Sequence, residues 1–241
     1  MKLLLIRHGQ SMGNLAWEEG RDWDGNSDPE LTARGHDQAQ ALGRGFADGR
    51  LPRPDHLLTS LMVRAVQTVA PVSAALDMPV TGVLDVHEVG GMSRRDGSDQ
   101  DAPQVAYGGL GRTELADWCP QLSVPDQVTD DGWYHHLIEP RRRGWKRARR
   151  VIRRLFAQYG EDETVAMVTH GLFINMLLWS AMGIKPSQVE AALGGYASMD
   201  GWYQLNNTST VMLTAPGPYG ERLWVNWVNR TDHLSDDLLT Q

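Results

Sequence analysis

Cysteine is almost missing from this chain: among 241 residues there is only Cys119. No intrachain disulfide can form, and no cysteine-based metal site is suggested. This usage fits a reducing compartment, so a cytoplasmic location is the expectation. Long apolar runs are missing too. None approaches the length that spans a bilayer, and the stretch before Arg7 is too short for a signal peptide, so no membrane partner is expected. Positive charge is in deficit, with 23 Lys and Arg against 30 Asp and Glu, a formal net charge of −7. That balance argues against general nucleic-acid binding. Internal repeats and low-complexity linkers are also lacking. The expectation is one α/β domain over residues 1–241, carrying an insertion at about 89–136.

What is present begins at once. The apolar run Leu3-Leu4-Leu5-Ile6 stops at Arg7-His8-Gly9 and leads on to Asn14. A buried strand therefore delivers an arginine and a histidine together at its C-terminal end, where open α/β sheets bind ligands. The imidazole can act as a nucleophile near neutral pH, and the guanidinium can hold phosphate oxygens through paired hydrogen bonds. A second apolar run, residues 164–168, ends at Thr169-His170-Gly171 and precedes an apolar helix-like stretch. Between them, residues 55–59 read as a short strand. Ser60 is suited to cap the next helix, which puts Arg64 in its first turn, followed by Gln67 and Thr68. Glu88 follows the strand expected over 80–86 and could donate a proton if its pKa is raised. Any one of these groups alone would read as an ordinary core or surface residue.

In this order, Arg7-His8-Gly9 with Asn14, Ser60 to Thr68, Glu88 and Thr169-His170-Gly171 resemble the histidine phosphatase superfamily, in its phosphoglycerate mutase-like branch. Residues 28–35 also look like that family's entry into its first long helix. The resemblance covers about residues 1–88 and 139–214. It implies that His8 becomes the phosphohistidine and that Arg7 and Arg64 hold the transferring phosphoryl group. His170 would donate to that group's oxygens, and Glu88 would protonate the leaving alcohol and then activate water. Asn14 and Gly171 would contact phosphate or substrate. Glu139 and Arg147 stand where relatives often carry a Glu and an Arg. Two arginines and two imidazoles supply enough donors for phosphoryl transfer without a metal, and no cofactor is expected. The phosphoglycerate mutases carry Glu-Arg-x-Tyr-Gly at the acid, whereas this chain has Glu88-Val89-Gly90-Gly91-Met92. The reading favoured is a phosphatase acting on a small-molecule phosphomonoester. The alternatives are cofactor-dependent mutase-like transfer and a catalytically weak protein-binding relative.

Periodicity predicts helices over 32–46, 61–76 and 144–159, and strands over 201–206, 208–214 and 222–229, the last two joined through residues 216–220. The implied fold is a three-layer α/β structure: a mostly parallel central sheet flanked by helices, with an antiparallel edge. Residues 89–136 show little periodicity. They read as a lid over the site, with Arg94, Arg95, Tyr107, Arg112 and Trp133 as candidate substrate contacts; an overhanging loop without contacts is the other reading. The nine basic residues from Arg141 to Arg154 read chiefly as the solvated face of an amphipathic helix. Neighbouring His135 and His136 should face opposite ways, so a shared metal is not expected. Residues 235–241 read as a frayed tail. Trp202, Trp224 and Trp227 could face the core or a partner, which leaves a homodimer open.

Overall fold

Leu3, Leu4, Leu5 and Ile6 are all fully buried because β1 (Lys2–Arg7) runs through the middle of a sheet covered on both faces. Leu4 and Ile6 enter one apolar cluster and Leu3 and Leu5 the other. A continuous apolar run is what a doubly covered parallel strand requires. The computed structural model describes residues 1–21, 27–95, 103–193, 203–215 and 223–241. After β1 come α1 (Met12–Glu18), α2 (Ala33–Ala47), β2 (His56–Ser60), α3 (Val63–Leu76) and β3 (Val80–Val83). Next are β4 (Ser93–Arg95), β5 (Gln104–Ala106), α4 (Arg112–Trp118) and β6 (Leu122–Ser123). The chain closes with α5 (Arg141–Gln158), β7 (Thr164–Thr169), α6 (Gly171–Ala181), α7 (Pro186–Leu193), β8 (Thr210–Thr214) and β9 (Trp224–Arg230). No described helix is long and apolar enough to cross a membrane.

The main sheet has the order β6-β3-β2-β7-β1-β8-β9. The first five strands pair in parallel, whereas β8 and β9 add an antiparallel edge. One face carries Leu42 and Phe46 of α2 with Val66, Val69 and Val72 of α3. The other carries α5 and α6, where Trp145 stacks on Trp179 with ring centroids 5.4 Å apart. The expected mixed, mostly parallel sheet flanked by helices is the observed architecture.

Several local expectations change. The strand over 80–86 stops at Val83 and continues as a short 3-10 turn, Leu84–Val86. Residues 203–206 are not a strand, while 201–202 and the turn at 216–220 lie outside the described residues, as does Trp202. Helix α1, unmarked by any long apolar period, is set by a capping box between Ser11 and Asn14. The tail is docked rather than frayed. Thr240 is buried, donates to Asn207 Oδ1 at 2.9 Å and accepts from Gln38 Nε2 at 2.7 Å.

The described residues of the segment 89–136 are largely stitched into the fold. Strand β6 extends the sheet beside β3, and Leu115, Cys119, Leu122 and Val128 join the cluster that holds Val69 and Val72. Arg112 is occupied by the carbonyls of Val124, Val128 and Pro125, at 3.2, 3.2 and 2.6 Å. Tyr107 packs against the same core. Trp133 is 7% exposed, buried beside Tyr134 and His87. Its large apolar surface found the core, which corrects its assignment as a substrate contact. Arg94 and Arg95 sit in the β4–β5 hairpin, with their side chains outside the described residues. On α5, Arg147 turns inward while Lys146, Arg149, Arg150, Arg153 and Arg154 are exposed.

Candidate active site

The site is built where β1 and β7 end. These strands pair in parallel with Arg7 opposite Thr169, and the His8 N–H donates to the Thr169 carbonyl at 3.0 Å. His8 and His170 therefore leave the sheet side by side, with ring centroids 5.1 Å apart. Glycine is needed just beyond. A Cβ at Gly9 would lie 2.7 Å from the Gly35 carbonyl oxygen, and one at Gly35 only 2.1 Å from that of Gln10. The loop after His8 thus lies directly on the first turn of α2.

His8 is buried and held from two sides. Its Nδ1 lies 2.7 Å from the Gly9 carbonyl, which only accepts, so Nδ1 carries the proton. Arg64 Nε donates to His8 Nε2 at 3.2 Å. The lone pair is therefore on Nε2, where it accepts from the guanidinium. Burial, with Arg64 and then Arg7 beside it, holds the imidazole well below its ordinary pKa and keeps it neutral.

Arg64 is positioned by its helix and by Asp28. Ser60 does not cap α3, as had been expected. Asp28 does so from a distant loop: its Oδ2 accepts from Val63 N at 3.0 Å, and its Oδ1 lies 3.4 Å from Arg64 Nη1. Burial pushes the Asp28 carboxyl up to about 6 against the opposing pull of Arg64. Ser60 Oγ instead meets His170 Nε2 at 2.8 Å, while accepting from Met62 N. A Ser60 hydroxyl donating to Nε2 leaves the His170 proton on Nδ1, which is buried and has no protein partner. Burial and Arg64 keep His170 neutral as well.

Two residues of the α3 segment brace the loop. Thr68 Oγ1 accepts from Gly9 N at 3.0 Å, and Gln67 Oε1 accepts from Leu31 N at 2.8 Å. Arg7 reaches across to the Leu205 carbonyl through Nη1, while its buried Nε has no partner. Burial brings the Arg7 pKa down to about 10, with Glu88 opposing.

Glu88 sits against the N-terminus of α6. Its carboxylate accepts from Phe173 N at 3.0 Å and Leu172 N at 3.3 Å, and from Val89 N at 2.8 Å. Burial nevertheless raises its pKa, outweighing those bonds and Arg64. Arg147 fixes the approach to Glu88. It donates to the carbonyls of Asp85 and His87 at 2.9 and 2.8 Å, pairs with Glu139 at 2.5 Å and lies 4.3 Å over the Phe173 ring.

These groups bound a cleft of about 530 Å³. Arg7, His8, Asn14, Arg64, Glu88 and Gly171 line it; His170, buried behind, and Trp133 do not. Asn14 Oδ1 accepts from Ser11 N and from Asn207 Nδ2, at 3.1 and 3.3 Å. Asn207 also donates to the His8 carbonyl at 3.2 Å. Sequence reasoning missed Asp28, Asn207, Trp17, Asn175 and the 203–205 wall. No local pattern singles any of them out, and Asp28, Asn207 and Asn175 are tied to the site by contacts distant in sequence. Among the described residues, no group of three or more His, Cys, Asp or Glu could hold a metal ion.

Comparison with known proteins places the chain in a family. Residues 3–200 match the model of the histidine phosphatase superfamily (branch 1). A 2,3-bisphosphoglycerate-dependent phosphoglycerate mutase of Chelativorans sp. is 28% identical over 224 residues, 87% of this chain and 94% of that protein. The one from Brucella melitensis biotype 2 is 27% identical over 201 residues, covering 78% and 84%. Solved structures are similar in fold. Phosphoserine phosphatase of Entamoeba histolytica, in complex with 3-phosphoglyceric acid, superposes with a TM-score of 0.59 at 21% identity, covering 97% and 99%. A putative alpha-ribazole-5'-P phosphatase from Escherichia coli gives 0.61 at 20%, covering 96% and 98%.

Proposed function

The chain belongs to the histidine phosphatase superfamily, whose members here are phosphatases or mutases, and on that premise we propose that it hydrolyses a small phosphomonoester through a phosphohistidine on His8. His8 Nε2 attacks phosphorus in line with the scissile bond. A P–N bond forms as the P–O bond to the alcohol breaks. Glu88, whose hold on a proton is strengthened by burial, gives its proton to the leaving oxygen. Its carboxylate then takes a proton from water, which attacks the phosphohistidine, releases phosphate and restores His8. Arg7 and Arg64 offset charge on the equatorial oxygens, and the unspent His170 donor adds to them. Asn14 and Gly171 contact the phosphate end of the substrate.

The observation that carries hydrolysis is the charge of the cleft wall: among the described residues that line it, Arg7 and Arg64 are the only cations. Both are committed to the transferring phosphoryl group. A mutase must also grip the remaining anionic groups of its substrate long enough to return the phosphoryl group. The names of the sequence relatives favour that second reading. Phosphorus NMR of enzyme supplied with 3-phosphoglycerate and 2,3-bisphosphoglycerate tests the two. Isomerisation faster than phosphate release would establish the mutase. Release of phosphate from monoesters, abolished in His8→Ala, supports hydrolysis and counts against a binding-only relative.

A further inference from the structure

The cleft changes character away from the phosphoryl groups. Trp17, Pro29, Leu172 and Tyr203 supply apolar wall, and Gln204 and Gln241 supply amides. Trp17 is 71% exposed and Tyr203 37%, so beside the cleft one aromatic side chain stands largely in water and the other partly so. This wall is braced. Buried Asn175 on α6 accepts from Tyr203 N at 2.9 Å and donates to the Tyr203 carbonyl at 3.0 Å. Gln204 Nε2 donates to Gln241 Oε1, and Gln241 N to Glu18 Oε1 at 3.3 Å. Arg21, further along the chain, pairs with Glu19 and does not line the cleft.

Among the described lining residues a carboxylate or second phosphate on the alcohol would meet no cation here and would lose its hydration without compensation. We propose, resting on the phosphatase reading, that the alcohol half of the substrate is uncharged and carries a flat ring, which packs on Trp17 and Tyr203 with a polar edge toward the Gln204 amide. The aromatic faces supply area at little entropic cost, and the amide supplies direction.

The test compares three esters of primary alcohols: benzyl phosphate, glycerol 3-phosphate and 3-phosphoglycerate. We expect kcat/KM to fall in that order, by about tenfold or more from first to last. Trp17→Ala and Tyr203→Ala should each lower kcat/KM for benzyl phosphate about tenfold more than for glycerol 3-phosphate. Gln204→Lys should raise 3-phosphoglycerate relative to benzyl phosphate by about tenfold. A wild-type preference for 3-phosphoglycerate, or equal slowing of both neutral substrates in the aromatic variants, overturns the inference. Trapping phosphohistidine in the same reactions separates the two levels. Its presence with the wrong selectivity overturns the ring-bearing alcohol alone; its absence with all three esters overturns the phosphatase reading as well.

Discussion

His8 and His170 end adjacent parallel strands at the same level of the sheet, each followed by glycine, yet their surroundings differ. His8 spends Nδ1 on the Gly9 carbonyl and turns an accepting Nε2 toward Arg64 at the cleft. His170 spends Nε2 on the Ser60 hydroxyl, lies fully buried and keeps Nδ1 unpartnered. Both are held neutral, chiefly by burial. A strand end decides where an imidazole stands. The partner of its second nitrogen decides whether it offers a lone pair or a proton. On the proposed mechanism that difference makes one the nucleophile and the other a donor.

The sharpest way to break this comparison is to remove each ring. His8→Ala should lose about 10⁴-fold or more in rate, with no acid-labile label, because the covalent route is gone. His170→Ala should still be labelled and slow by about 10²–10³-fold, as when one charge-stabilising donor is lost. Rapid acid and base quench followed by mass spectrometry reads both, and label surviving in His8→Ala would invert the assignment. Glu88→Gln comes next. It keeps the acceptor for Phe173 N but cannot donate a proton, so single-turnover phosphoenzyme formation from alkyl phosphates should fall about 10²-fold more than from p-nitrophenyl phosphate. Equal slowing would remove Glu88 from the acid role.

Neutral imidazoles also make two pH predictions. Because the His8 pKa is lowered, phosphoenzyme formation from an activated ester should show no His8 titration near 6.5, once the substrate phosphate, titrating at about 6, is allowed for. A loss of rate following a group at 6.5 would contradict the geometry. Buried His233 gives a smaller, structural counterpart, with its pKa brought down to about 4 by burial. Its unfolded form binds the proton first, so stability is full above about 6.5 and is lost as pH falls toward 4. Urea unfolding of His233→Gln should depend less on pH across that window, by up to about 3 kcal/mol. The smallest effect is expected from chelators, which should leave turnover unchanged; a loss restored by one divalent ion would end the two-arginine account.

The candidate catalytic cluster was readable because its members stand at ends of regular elements. An apolar run that stops at His-Gly announces a strand end, and the first turn of a helix announces Arg64. Gln67 and Thr68 were readable as motif members, but their bracing of Leu31 and Gly9 was not. Ser60 looked like a cap by local grammar, whereas Asp28, 35 positions before Val63, took the capping bond. Residues 89–136 lack periodicity because their apolar groups are spread over short pieces that share the core of α3.

Sequence by itself determined which strands are doubly buried, where the long helices α2, α3 and α5 run and which charged groups leave the sheet together, since periodicity and strand ends are local properties of the chain. Only the tertiary structure decided which nitrogen of each histidine is free, that Trp133 is core rather than contact, and that the C-terminal residues brace the cleft. Those outcomes depend on Gly9, Ser60, Asn207 and Thr240 meeting groups whose positions no local pattern encodes. Buried polar groups must find partners wherever the fold brings them, and only the closed fold determines where that is.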